Sequence, residues 1–105
     1  MNINGNSSVS FGAKLAPTGA CSRLKNHLLD YGFDFDSMKT LQHELDRFSK
    51  DKVVFIDTFS HDDLMGSSFI TGIVENSEKK RPFACQVFDS VGMLKDIADG
   101  IFHIR

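Results

Sequence analysis

A chain of 105 residues with 12 basic and 14 acidic side chains has room for one domain, and its formal charge of −2 lacks the basic surplus that phosphate contacts require. Its 41% hydrophobic and 25% charged residues exclude a wholly disordered chain, and no stretch reaches the apolar length of a membrane helix. Ten Phe, one Tyr and no Trp tilt the aromatic content toward packing rather than polar recognition.

Met1 to Ser8 are rich in Asn, Ser and Gly and read as a flexible leader ahead of a single α+β domain over residues 9–105. Val9, Phe11, Ala13 and Leu15 then alternate with Ser10, Gly12, Lys14 and Ala16, the period of a short strand or extended arm, which Pro17 and Gly19 end. Thr18 is placed to cap a helix over Ala20 to Tyr31, with Cys21, Leu24, Leu28 and Tyr31 on one face and Gly32 at its C-terminal stop. Asp34-Phe35-Asp36 has the look of an acidic metal loop, but the later ligands and the glycine of a calcium loop are missing. It reads instead as a cap, at Asp36 or Ser37, for a second helix reaching Ser49 with Met38, Leu41, Leu45 and Phe48 as its apolar stripe.

Lys52 to Phe59, Ser68 to Glu75 and Phe83 to Phe88 read as three strands, joined by a polar connection over Ser60 to Ser67 and a hairpin loop over Asn76 to Pro82. Asp89 or Ser90 caps a last helix carrying Val91, Leu94, Ala98, Ile101 and Phe102. The expected fold is α+β: an antiparallel sheet of three to four strands with three helices, in the order β-α-α-β-β-β-α. Both faces of the sheet look apolar: Val53, Phe55 and Phe59 oppose Val54 and Ile56, Phe69 and Ile73 oppose Ile70 and Val74, and Phe83, Cys85 and Val87 oppose Ala84 and Phe88. Helices on one side leave the second face for the N-terminal arm, another copy of the chain or a partner; a helix on each side is the alternative.

The most chemical-looking stretch is the strand end Asp57, His61, Asp62 and Asp63, whose carboxylates and imidazole suit a divalent metal or acid–base work. Its plainer reading is an acidic turn that solvates the end of an apolar strand. Ser67 and Ser68 invite a Ser-His-Asp reading, but no GxSxG elbow surrounds them. Lys79-Lys80-Arg81 forms a basic hairpin tip, diluted by Glu75 and Glu78. His27, His43 and His103 are spread without paired spacing and read as structural. Cys21 and Cys85 form no CxxC pair and read as buried thiols of a cytoplasmic protein, since the N-terminus lacks the pattern of a secretory signal.

From Asp36 onward the order α-β-β-β-α resembles the double-stranded RNA-binding domain over about two-thirds of the chain. That family opens its last helix with a lysine cluster for phosphate, where this chain has Asp89-Ser90-Val91-Gly92-Met93 and then a lone Lys95 with Asp96 and Asp99 beside it. The resemblance is topological, and the activity does not carry over with it.

The functional expectation is a non-enzymatic domain that binds another protein or a second copy of itself through the sheet face or through the segment of Val9, Phe11 and Leu15, able to add as an edge strand. The alternatives are a metal-dependent enzyme or metal-binding protein using Asp57, His61, Asp62 and Asp63, and weak nucleic-acid binding at the hairpin tip. No cofactor and no membrane partner is expected.

Overall fold

The computed structural model describes residues 13–34, 36–48 and 51–102. A short strand, β1 (Lys14–Leu15), precedes two helices, α1 (Gly19–Tyr31) and α2 (Ser37–Leu45), then three strands, β2 (Val53–Asp62), β3 (Ser67–Glu75) and β4 (Lys80–Phe88), and a last helix, α3 (Met93–Phe102). Thr18 starts α1 as expected, its side chain accepting the Cys21 N–H. Gly32 ends it at φ 118°, a left-handed position that only glycine adopts without strain, returning its N–H to Leu28 and Leu29. Asp36 precedes α2 without a side-chain cap; the Asp34 carboxylate takes the Asp36 N–H instead.

The strands form one sheet in the order β1-β2-β3-β4. β2, β3 and β4 make the expected antiparallel meander. β1 corrects the wholly antiparallel expectation, because it pairs parallel to β2, Lys14 with Val53 and Leu15 with Val54. The two helices between these strands carry the chain across one face and back to the end of the sheet at which β1 began, so β2 runs parallel to it. Gln42 of α2 fastens the outer edge of β1: its Oε1 accepts the Leu15 N–H at 2.9 Å and its Nε2 donates to the Ala13 carbonyl at 2.6 Å. The outward Leu15 N–H of this edge strand and the carbonyl of the preceding Ala13 are therefore occupied.

The three helices pack on one face of the sheet. Leu24 and Leu28 of α1, Leu41 and Leu45 of α2, and Met93, Ile97 and Ile101 of α3 close over Val54, Ile56, Ile70, Val74, Phe83 and Val87. Val91 precedes α3 and is exposed, so it is not part of the apolar face assigned to that helix. The basic tip is also displaced: β4 begins at Lys80, and Arg81 turns back to donate to the Ile101 carbonyl near the end of α3.

A bulge in β2 alters which residues face the core. The β2–β3 register runs Ile56 with Gly72 and then Thr58 with Thr71, leaving Asp57 as the extra residue. Strict alternation puts Phe59 with Val53 and Phe55; past the bulge, Phe59 pairs with buried Ile70 and His61 with buried Ser68, on the helix-covered face. Gly72 makes room for this, since a Cβ there would lie 1.9 Å from the Phe55 carbonyl oxygen and 2.8 Å from the Phe83 ring.

Candidate functional site

Past the bulge, β2 continues to Asp62 and carries His61 into contact with α1 and with the segment after β4. His61 Nε2 lies 3.1 Å from Asp89 Oδ2, and His27 Nε2 of α1 lies 3.1 Å from the other oxygen of the same carboxylate. The His61 Nδ1 is 2.9 Å from Asp63 Oδ1. The two imidazoles lie against each other with centroids 3.9 Å apart, and Phe59 lines the His27 ring at 5.5 Å. The Asp89 N–H donates to the Gly66 carbonyl at 2.8 Å, which locks its carboxylate beside the β2–β3 turn.

The side chains of His27, His61 and Asp89 are only 14–17% exposed, whereas that of Asp63 is 97% exposed. Burial works against a charged His61, but its bonds to Asp89 and Asp63 prevail and raise its pKa. For Asp89, burial favours the neutral acid, and the bonds from His27 and His61 prevail to hold the carboxyl below its usual range. One oxygen or nitrogen from each of His27, His61 and Asp89 lies within 4.8 Å of the others, the arrangement of a potential three-ligand metal site.

Of the expected polar cluster, only His61 and Asp63 come together. Asp57 occupies the bulge and is exposed. Asp62 shapes the hairpin turn, its Oδ1 accepting the N–H groups of Leu64 and Met65. His27 and Asp89, read from sequence as a structural histidine and a helix cap, are the groups that complete the cluster. Their separation of 62 residues leaves no local spacing to find them by. Ser68 is buried beside His61, yet its hydroxyl makes no hydrogen bond among the described residues, so no Ser-His pair forms.

The other candidate surface is the sheet face opposite the helices. It presents Val53, Phe55, Thr58 and Ser60 from β2, Phe69, Thr71 and Ile73 from β3, and Pro82, Ala84, Gln86 and Phe88 from β4. Phe69 is 48% and Phe88 55% exposed. Charge on these strands lies at their ends, with Glu75 beside Lys80 at one end and Asp62 at the other, and at the exposed bulge residue Asp57. Of the expected interaction segment, Val9 and Phe11 lie outside the described residues, and Leu15 is half-buried in β1.

No helix among the described residues is long and apolar enough to cross a membrane. Comparisons with protein-family models, with curated proteins and with solved structures gave no significant match.

Proposed function

We propose that this chain is a non-enzymatic self-association domain in which two copies pack the open faces of their sheets together. The observation that carries the reading is the apolar content of that face, where Phe69 and Phe88 stand about half exposed among Val53, Phe55 and Ile73. Face-to-face sheets interdigitate side chains across a layer about 10 Å thick, and such a layer accepts uncharged residues from both sides. A second copy supplies a matching apolar face, and a formal charge of −2 per chain opposes pairing weakly.

The sheet edges favour face packing over strand addition. β1 is two residues long and its outward Leu15 N–H is held by Gln42, while β4 carries Pro82, which lacks an N–H. Cytoplasmic residence belongs to the same reading and draws support from the free thiols of Cys21 and Cys85.

The test is the solution mass of the chain by light scattering across a concentration range. A dimer is expected, with Ala84→Glu and Phe69→Lys each returning a folded monomer. A wild-type chain that stays monomeric at millimolar concentration would overturn the reading.

A further inference from the structure

We propose that His27, His61 and Asp89 form a binding site for one divalent first-row transition ion of the zinc class. Three ring nitrogens face carboxylate oxygens: His27 Nε2 and His61 Nε2 on Asp89, and His61 Nδ1 on Asp63. Two neutral imidazoles carry only two N–H groups between them. One nitrogen lone pair therefore points at a carboxylate oxygen unless a further cation, either a proton or a metal ion, stands at the site.

The geometry suits the metal. With its Nδ1–H donated to Asp63, His61 offers the Nε2 lone pair toward Asp89, the orientation in which a carboxylate steers a metal-binding histidine. The two N···O separations are 3.1 Å, and bonds of about 2.0–2.1 Å in a tetrahedral zinc site put ligand atoms roughly 3.3 Å apart. The three ligand atoms, now within 4.8 Å of one another, close toward that spacing around an entering ion, and His27 then carries its proton on Nδ1.

Ser68 is an independent sign. It is the register partner of His61 on the covered face, it is 1% exposed, and its hydroxyl has no hydrogen-bond partner among the described residues. Paired residues on one face stand about 5 Å apart at Cβ, within reach of a water on the ion's fourth position. Two nitrogens and one carboxylate select a transition ion over calcium or magnesium, which require mostly oxygen ligands.

The experiment uses the full chain, stripped with chelator, at about pH 7.5, where ordinary imidazoles are neutral. Cobalt(II) titration is expected to give visible ligand-field bands of tetrahedral type that saturate at one ion per chain and are displaced by zinc. Zinc at about a hundredfold its dissociation constant is expected to raise the melting midpoint by roughly 10 °C, and calcium to leave it unmoved. His27→Gln and Asp89→Asn, each checked for native circular dichroism, are expected to lose the bands and at least tenfold in zinc affinity. Substituting exposed His43 (His43→Gln) is expected to change neither. Absence of the bands and of the midpoint shift in the wild-type chain would overturn the site, as would bands that survive in folded Asp89→Asn. Thiolate charge-transfer absorption, signalling cysteine ligation in place of these residues, would overturn it too.

Discussion

His61 and Asp89 stand 28 positions apart in the chain and meet at 3.1 Å, joining the end of β2 to the segment that follows β4. The same carboxylate holds His27 of α1, so one side chain ties three segments together. Asp89→Ala is expected to destabilise the fold by about 1–3 kcal/mol, because it leaves two poorly exposed imidazoles without their acceptor. Asp63→Ala removes a fully exposed partner of His61 and is expected to cost less than about 0.5 kcal/mol. Urea unfolding of the two variants side by side, in chelator, checks the contrast.

Gln42 holds the outward Leu15 N–H of β1 and the carbonyl of the preceding Ala13 through one amide. Replacing it (Gln42→Ala) is expected to cost about 1–3 kcal/mol and to speed amide hydrogen exchange at Leu15. Unchanged protection at Leu15 would mean that the strand does not depend on this clamp.

Gly72 lies opposite the bulge, where an added methyl meets the Phe55 carbonyl and the Phe83 ring. Neither neighbour is a free side-chain end, since one is backbone and the other is buried. Gly72→Ala is expected to destabilise by about 3 kcal/mol or more, beyond the range of ordinary overpacking because backbone must move. Thermal unfolding of the variant checks this.

Asp99 accepts bonds from Arg47 and Lys95, which hold its carboxyl below the usual range against a smaller opposing effect of burial. A carboxyl with a lowered folded pKa stabilises above its unfolded pKa, and that contribution fades as pH falls through the folded value. Stability of the wild-type chain should therefore decline below about pH 5, and Asp99→Asn should decline less steeply over the same range. The pair is partly exposed, so the difference is expected near 0.5 kcal/mol. Urea midpoints of both proteins from neutral pH downward would measure it.

Burial pushes the Cys85 thiol up to about 11, and the Cys21 Sγ–H donates to the Ala16 carbonyl. The thiolate is the reactive species, so neither residue is expected to react with iodoacetamide at neutral pH in the native state. Both should react once the chain is unfolded in urea. Mass spectrometry of the two samples decides it.

Local pattern accounts for most of the elements. Thr18 and Gly32 bracket α1 because a cap hydroxyl and a left-handed glycine act within a few residues of themselves. Leu24, Leu28, Leu41 and Leu45 repeat at helical spacing and are buried in the core. Phe69 and Ile73 lie opposite Ile70 and Val74, as strand alternation requires.

The candidate site was legible only in part, through His61 and Asp63, which are two residues apart. His27 and Asp89 reach the site through the packing of α1 on β2 and the pairing of β3 with β4, contacts between residues far apart in the chain. The bulge at Asp57 was equally hidden. Alternation alone sends His61 to the open face with Val53 and Phe55, and one extra residue turns it toward the helices. Cap chemistry and apolar spacing, which act over one or two turns, were determined by the sequence itself. The side of the sheet on which His61 emerges, its meeting with His27 and Asp89, and the parallel addition of β1 were decided by tertiary structure, because each depends on how separate segments pair and pack.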